Sequence, residues 1–272
     1  MSAVRDEYVL LNGIRFHFRD WANDGAMPLV LLHGYTGHSR SWDTLAKAMV
    51  TRYRVLALDQ RGHGESGWAS DYTPEAMVSD VTAFVEALRL DHFALLGLSM
   101  GGRNAYHFAG GRPRGLERLV IVDIGPDIVA AGSQRIRSGV TVSDIFESPE
   151  HAINAARQAN PNADETELRA RARQNLMLRQ DGTWTFRYDS SLRNPATPLP
   201  RPTSESGWAA VANINVPTLL IRGARSDVLS TETADRMVQT IPDCRFVEVP
   251  DAGHSVPLDN PGGFVEAVKT FL

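Results

Sequence analysis

Four short apolar runs constrain the fold of this chain more than any other feature. They are rich in Val, Leu and Ile with little polar alternation, and they comprise residues 28–32, 54–58, 93–97 and 116–123. Such runs are typical of strands that are buried on both faces of a parallel sheet. Helical segments separate them: residues 41–49 form one, and Thr73-Pro74 opens another with an N-cap threonine and a proline at the first helical position. This alternation predicts right-handed βαβ crossovers and a doubly wound sheet.

A turn signal near the start of the chain predicts a different kind of strand pairing. Asn12-Gly13 lies between the extended segments 8–11 and 14–20. Asn-Gly is the strongest short-range hairpin signal, because both residues tolerate the positive φ angles of a type I′ turn. We therefore expect an antiparallel hairpin ahead of the mostly parallel sheet.

The alternation of strands and helices stops after Asp123 and resumes at Pro217. The intervening sequence contains helical stretches at 148–158 and 164–178, a hairpin pattern around Asp181-Gly182 and a proline-rich stretch at 194–202. A sheet that is interrupted once and then completed is the simplest account of this pattern. We predict an α/β core of residues 1–125 and 208–272, and a mainly helical insertion of residues 126–207, which is called the insertion below.

A serine stands where a buried strand is predicted to meet a helix. The motif is Gly97-Leu98-Ser99-Met100-Gly101. A serine displayed on such a turn takes strained backbone angles, so the residues two positions away on each side must be almost without side chains. The helix that follows presents unpaired N–H groups and a positive dipole end to an anion formed at the serine. We predict that Ser99 is a catalytic nucleophile.

The loop after the third predicted strand can supply part of an oxyanion hole. An acyl-transfer site needs two backbone N–H donors aimed at the oxygen that gains negative charge. One donor is expected from the residue after the nucleophile, Met100, and the other from this loop, which begins His33-Gly34-Tyr35. Gly34 lets the chain turn, so Tyr35 is the natural second donor. We interpret His33 as a side chain that braces the loop by hydrogen bonding.

Eight histidines compete for the role of general base, which a serine hydroxyl needs in order to become a good nucleophile. His254 lies in the loop 250–255, after the last predicted strand and before the closing helix. Sites form at the carboxyl ends of parallel strands, and the histidine of such a site follows the serine in chain order. We predict that His254 is the base.

Two aspartates are candidates for the carboxylate that orients the histidine and stabilises its protonated form. Asp227 follows the predicted strand 217–221, in Arg222-Gly223-Ala224-Arg225-Ser226-Asp227. Asp123 ends the preceding strand, and its structural alternative is a carboxylate that caps the loop before Gly125. We favour Asp227 and keep Asp123 as its rival.

These residues together resemble a known superfamily. The shared features are His-Gly after the third strand, Gly-Leu-Ser-Met-Gly, Gly-Ala-Arg-Ser-Asp, Ala-Gly-His and the loop of residues 59–66. They resemble the α/β-hydrolase superfamily over nearly the whole chain, most weakly across the insertion, where that family places a variable cap. The resemblance implies the α/β-hydrolase fold and a serine hydrolase that works through an acyl-enzyme, with no cofactor and no metal. The chain is also similar to small bacterial carboxylesterases that resolve esters of cyclopropanecarboxylic acids.

The insertion is expected to decide the substrate, since the fold and the triad do not. Val142, Ile145 and Phe146 recur at helical i, i+3, i+4 spacing. This apolar stripe either packs the insertion onto the core or lines an acyl pocket, which would make Ile145 and Phe146 substrate-binding residues. Acidic and basic residues are mixed through the insertion, so we predict a small neutral carboxylic ester as substrate.

Charge and hydropathy exclude other classes of partner. The net charge of -4 gives no electrostatic reason to expect nucleic acid or an anionic membrane surface. No apolar run approaches the roughly 20 residues that span a bilayer, and Asp6 and Glu7 stand where a secretory signal carries basic residues. We expect a cytoplasmic protein whose partner is a small-molecule ester.

Two other functions are compatible with the same motifs. The first is hydrolysis of a carbon–carbon bond or opening of a lactone by the same triad. The second is a ligand receptor built on an intact hydrolase fold. Slow turnover combined with a large ligand-induced change in thermal stability would distinguish such a receptor from an enzyme.

Overall fold

A computed structural model describes residues 4–140, 144–161, 163–193 and 202–272. It begins with the predicted hairpin, in which β1 (Val4–Leu11) pairs antiparallel with β2 (Ile14–Trp21). Asn12 and Gly13 form the turn with φ angles of 49° and 77°, the combination that a type I′ turn requires.

The core then alternates strands and helices as predicted. Its first half comprises β3 (Met27–Leu32), α1 (Asp43–Met49), β4 (Tyr53–Leu58), α2 (Pro74–Ala87), β5 (Phe93–Leu98), α3 (Met100–Gly110) and β6 (Leu116–Val122). Its second half comprises α7 (Ser204–Ala212), β9 (Thr218–Gly223), α8 (Thr231–Thr240), β10 (Cys244–Val249), α9 (Val256–Asp259) and α10 (Pro261–Phe271). The Thr73 hydroxyl caps α2 by accepting from the Ala76 N–H at 3.3 Å, and Pro74 occupies the first helical position.

The sheet is doubly wound. Within the described ranges it has eight strands in the order β1-β2-β4-β3-β5-β6-β9-β10. β2 is antiparallel to β4, and every pair from β4 to β10 is parallel. Apolar side chains of α2, α3, α7 and α8 pack on one face and those of α1 and α10 on the other. The carboxyl ends of β3, β5 and β6 therefore meet at one edge of the sheet, as the predicted site requires.

The insertion is partly helical. Its described elements are α4 (Ala130–Val140), α5 (Pro149–Ala159), α6 (Glu165–Gln174), β7 (Leu176–Leu178), β8 (Trp184–Phe186) and a 3₁₀ turn (Ser190–Arg193). The longest helix of the chain's described part, α2, has 14 residues. No helix in those ranges combines the length and the apolar character that crossing a membrane demands.

Three details of the insertion differ from the sequence predictions. The helix predicted over 164–178 ends at Gln174, because Leu176–Leu178 pairs with Trp184–Phe186 around the Asp181-Gly182 turn. Phe146 is not helical: it forms an antiparallel bridge with Trp184, so the stripe with Ile145 is wrong as a helix face. The boundary at residue 208 falls inside α7, which packs on α3. Val142 and most of the proline-rich stretch lie outside the described residues.

Candidate active site

Ser99 stands on the sharp turn between β5 and α3. Its backbone angles, φ 52° and ψ −115°, belong to a region that costs a non-glycine residue about 1–3 kcal/mol. Neighbouring elements hold the turn: the Ser99 N–H donates to the Val122 carbonyl at 2.9 Å. A Cβ on Gly97 would lie 2.6 Å from the Gly102 nitrogen, and one on Gly101 would lie 2.6 Å from the His33 carbonyl oxygen. Close backbone packing therefore explains the two glycines of the motif.

Replacing Gly101 by alanine is expected to lower the free energy of unfolding by about 3 kcal/mol or more, because the added carbon overlaps backbone that has no room to shift. Gly262→Ala is the matched control. Gly262 is also the second residue of its helix, and the nearest atom to an added Cβ there lies 4.0 Å away. Urea denaturation should find this control unchanged or stabilised by up to about 1 kcal/mol. Equal stability of the two variants would contradict the packing argument.

Ser99, His254 and Asp123 are hydrogen-bonded in series. His254 Nε2 lies 2.8 Å from Ser99 Oγ, and His254 Nδ1 lies 2.8 Å from Asp123 Oδ2. The His254 side chain is 10 % exposed and that of Asp123 is fully buried. With Nδ1–H donating to Asp123, Nε2 is free to accept the proton of the serine hydroxyl. This is the geometry that a serine nucleophile, a base and an orienting acid need.

Asp123 is held by three donors. Besides His254, Oδ2 accepts from the Ser226 hydroxyl at 2.6 Å, and Oδ1 accepts from the Gly223 N–H at 2.9 Å. The Ser226 hydroxyl in turn accepts from the N–H groups of Val228 and Leu229 at 3.2 and 3.1 Å. These donors fix the carboxylate in the orientation in which Oδ2 faces the imidazole.

The contact that we predicted between Asp227 and His254 is not formed, and our preference for Asp227 over Asp123 is corrected. Both Asp227 oxygens accept from the Arg135 guanidinium, at 2.6 and 2.8 Å. The hydrogen bonds from Arg135 hold the pKa of Asp227 below its ordinary value. Asp227 is 39 % exposed. Through its contact with Arg135 it joins α4 of the insertion to the loop after β9.

Strand order explains why Asp123 takes this position. β6 lies between β5 and β9 in the sheet, so Asp123 follows the strand adjacent to that of Ser99. Its φ of 52° turns the chain directly after β6. The signal available in the sequence was an aspartate immediately after a buried strand. A second signal was Ser226, whose hydroxyl donates to Asp123. It lies directly before Asp227, within the motif for which we had favoured Asp227.

The loop after β3 lies against Ser99. A Cβ on Gly34 would be 3.5 Å from Ser99 Cβ. The Gly34 carbonyl accepts from the Gly37 N–H at 2.9 Å, which closes a turn with Thr36 at φ 63°. Met100 is buried at the first position of α3, where backbone N–H groups have no partner within the helix. Tyr35 and Met100 remain our predicted oxyanion donors.

The interpretation of His33 as a brace is confirmed. Its Nδ1 lies 2.8 Å from the Gly34 carbonyl oxygen, and its Nε2 accepts from the Gln60 N–H at 3.0 Å. The imidazole is buried, and burial lowers its pKa, so the ring is neutral at ordinary pH. The sequence had not indicated a role for Gln60.

A row of aromatic rings leads from the insertion to the loop after β3. Successive ring centroids are 5.1, 5.2, 6.1 and 6.1 Å apart along Phe146, Phe186, Tyr188, His63 and Tyr35; these five residues are called the aromatic row. Its far end is anchored because the Tyr35 hydroxyl donates to the carbonyl of Leu192 in the insertion.

The two predicted substrate-binding residues have different environments. Phe146 is 5 % exposed and belongs to the aromatic row, whereas Ile145 is 47 % exposed. Phe186 and Tyr188 pack in the same apolar cluster as Met100, so Phe146 is connected to the surroundings of Ser99 through its neighbour Phe186. Both stay predicted substrate-binding residues.

Comparison with known proteins agrees with this architecture. Residues 29–267 match the alpha/beta hydrolase family. The sequence is 32 % identical to the sn-1-specific diacylglycerol lipase ABHD11 of Mus musculus, over 92 % of this chain and 82 % of that one. It is 30 % identical to the 3-hydroxybutyrate-oligomer hydrolase of Cupriavidus necator, over 94 % and 92 % of the two chains. The crystal structure of E-2-(acetamidomethylene)succinate hydrolase superposes with a TM-score of 0.87 at 24 % identity, covering 99 % of both chains.

This chain belongs to the α/β-hydrolase family. The fold predicted from its motifs is confirmed, and its curated relatives support hydrolase activity.

Proposed function

We propose that this protein is a serine carboxylesterase in which Ser99, His254 and Asp123 form the catalytic triad. The observation that carries the proposal is the continuous series of 2.8 Å contacts from Ser99 Oγ through the imidazole to the buried Asp123 carboxylate. Because a serine hydroxyl is a weak nucleophile at neutral pH, a base in direct contact is the feature that activates it.

The reaction follows from these contacts. Ser99 Oγ attacks the ester carbonyl while His254 Nε2 takes its proton, and the N–H groups of Tyr35 and Met100 stabilise the oxyanion. The protonated His254 then donates to the alcohol oxygen as the carbon–oxygen bond breaks, leaving an acyl-enzyme on Ser99. Water attacks this acyl group with His254 again as base, and the carboxylic acid is released. Asp123 stays ionised throughout and stabilises the imidazolium.

Two relatives support an ester as substrate. Diacylglycerols and 3-hydroxybutyrate oligomers, for which these relatives are named, are both carboxylic esters. The aromatic row offers an apolar wall near Met100, and pockets with such walls favour neutral groups. We therefore propose a small neutral ester, and we keep esters of cyclopropanecarboxylic acids as the more specific hypothesis that the resemblance suggests.

Phe146→Ala is expected to change acyl-chain selectivity. Removal of the ring leaves space behind Phe186, so the ratio of kcat/KM for a bulky acyl group over acetyl should rise about tenfold, within the range that one or two methylene groups contribute in an apolar pocket. A series of p-nitrophenyl esters of increasing acyl size measures this ratio. Phe246→Ala, in β10 and 38 % exposed, is the matched control. An unchanged ratio in Phe146→Ala would remove Phe146 from the acyl pocket.

A substrate panel tests the proposed function as a whole. It comprises p-nitrophenyl esters, lactones and vinylogous diketones, each assayed with the parent protein and with Ser99→Ala. We expect the esters to have the highest kcat/KM. Preferred turnover of lactones or diketones would replace the esterase proposal with one of the other reactions of this triad. Slow turnover of every compound, together with a large rise in Tm on adding one of them, would favour a ligand receptor.

A further inference from the structure

Three buried residues beneath the proposed oxyanion hole are joined by hydrogen bonds that use both side-chain and backbone groups. His33 follows β3, Gln60 follows β4 and Asn104 lies in α3; they are 1 %, 3 % and 0 % exposed. The Asn104 Nδ2 donates to Gln60 Oε1 at 2.7 Å, and the Gln60 Nε2 donates to the His33 carbonyl at 2.7 Å. The Gln60 N–H donates to His33 Nε2 at 3.0 Å. These three residues are called the relay.

One end of the relay sets the orientation of a single peptide group. The Gly34 carbonyl accepts from His33 Nδ1 at 2.8 Å and from the Gly37 N–H at 2.9 Å. This carbonyl belongs to the peptide group that also contains the Tyr35 N–H. Because a trans peptide is planar, with its N–H directed opposite to its C=O, fixing the carbonyl also fixes the direction of the Tyr35 N–H.

The backbone N–H of Gln60 sets the tautomer of His33, while the Gln60 side chain holds the His33 carbonyl. Since His33 Nε2 accepts from the Gln60 N–H, its proton must be on Nδ1, where it can be donated to Gly34. The ring has to stay neutral for this arrangement, and burial lowers the His33 pKa in the required direction. The buried neighbour His63, 5.0 Å away between ring centroids, has a pKa lowered to about 3 by burial and adds no positive charge. The charge of the buried Asp59 carboxylate, which lies 2.7 Å from His17 Nδ1, acts to raise the His33 pKa, but burial outweighs it.

The other end of the relay reaches the helix that carries the second donor. Asn104 is four residues after Met100 in α3, so the two lie about one helical turn apart on the same side of the helix. Its Oδ1 accepts from the Arg103 guanidinium at 3.1 Å, which leaves Nδ2 directed at Gln60. The relay thus joins the loop that carries Tyr35 to the helix that begins with Met100.

We propose that Gln60 and Asn104 are positioning residues that hold the Tyr35 and Met100 N–H groups at the spacing a tetrahedral oxyanion needs. The proposal rests on the proposed function, because it assigns these residues to the same reaction. We expect Gln60 and Asn104 to stabilise the transition state, because the Tyr35 and Met100 donors that they position bind a developing oxyanion more strongly than a ground-state carbonyl.

Gln60→Met and Asn104→Leu test the proposal, because each keeps the size of the side chain and removes the hydrogen bonds of that side chain, while the backbone N–H of residue 60 still donates to His33. We expect each to lower kcat on a p-nitrophenyl ester by about 10–100-fold with KM within about threefold, a part of the loss that follows removal of one oxyanion donor. The affinity for a trifluoromethyl ketone, which forms a tetrahedral adduct with the serine, should fall by the same factor as kcat. The affinity for the product carboxylic acid should stay within about threefold.

Thr218→Val is the matched control. Thr218 is also fully buried, and its hydroxyl donates to the Val216 carbonyl at 2.9 Å. It begins β9 and so lies at the sheet edge opposite the candidate active site. It should lower Tm without weakening trifluoromethyl ketone binding. Should a single relay variant fail to fold, the double variant Gln60→Met/Asn104→Leu removes both partners of the Asn104–Gln60 hydrogen bond together. Values of kcat and trifluoromethyl ketone affinity within threefold of the parent in folded relay variants would overturn the proposal.

Measurements on the parent protein test the proposed function separately from the relay. If the parent hydrolyses no ester and forms no ketone adduct, the esterase proposal is wrong. Hydrogen exchange of the Gly37 amide then tests whether the relay supports the loop after β3. We expect that amide, which is bonded to Gly34, to exchange at least about tenfold faster in both relay variants than in Thr218→Val. Equal exchange in all three would overturn the relay as a support of this loop.

Discussion

Ser99→Ala is expected to lower kcat for ester hydrolysis by about a millionfold, the size of loss that removal of a triad nucleophile produces. Alanine removes the atom that would form the acyl-enzyme, and His254 Nε2, 2.8 Å from Ser99 Oγ, then has no hydroxyl to deprotonate. The measurement is steady-state hydrolysis of a reactive p-nitrophenyl ester, together with labelling by a fluorophosphonate probe. The parent should be labelled and the variant should not.

His254→Ala provides the comparison for this result. Residues that act as one unit have non-additive effects, so the single variants and the Ser99→Ala/His254→Ala double variant should all lose activity to a similar degree. Ser99 also holds a backbone conformation with a φ of 52°, which alanine can adopt at a similar cost, so Tm should change little. More than a tenth of the parental kcat in correctly folded Ser99→Ala would rule out Ser99 as the nucleophile.

Asp123→Asn is expected to lower kcat by about ten-thousandfold, whereas Asp227→Asn should leave kcat within a few fold of the parent. An asparagine at 123 can direct its amide at His254 Nδ1, which stabilises the tautomer that carries its proton on Nε2 and cannot accept from serine. The Gly223 N–H can still donate to the asparagine oxygen, whereas the Ser226 hydroxyl, which donates to Oδ2, loses that acceptor, so a lower Tm should accompany the loss of activity. Parallel measurement of kcat/KM and Tm separates the two effects.

Asp227→Asn is the matched control for this prediction. Asp227 makes a bidentate contact with Arg135, whose side chain is 50 % exposed. Exposed ion pairs contribute about 0–1 kcal/mol to stability. Arg135→Gln should therefore reproduce the small effect of Asp227→Asn. A large loss of activity in Asp227→Asn with near-full activity in Asp123→Asn would restore the assignment that the sequence alone favoured.

Much of the fold was predictable because its signals are local. Buried parallel strands appear in the sequence as short apolar runs, and two residues, Asn12 and Gly13, were enough to predict the first turn. The turn at Ser99 was predictable for the same reason: the backbone of Gly101 and Gly102 leaves no room for a Cβ at Gly97, and that of Leu32 and His33 leaves none at Gly101. His254 could be located from chain order and its place after the last strand.

The details of the insertion were less predictable. Ile145 and Phe146 matched a helical spacing by chance, and the bridge between Phe146 and Trp184 joins residues 38 positions apart. The strand Leu176–Leu178 likewise depends on its partner across the Asp181-Gly182 turn. Pairing with a distant segment outweighs local preference in such short strands.

By itself, the sequence determined the class of fold and the position of Ser99 on its strained turn, and it indicated that His254 lies beside Ser99. Only the tertiary structure decided between Asp123 and Asp227, because both follow buried strands and the sequence does not state which strand lies beside β5. The sheet order brings Asp123 to His254, while the insertion brings Arg135 to Asp227. The same holds for Gln60 and Asn104, which are 44 positions apart in sequence and become partners only when the loop after β4 is folded against α3.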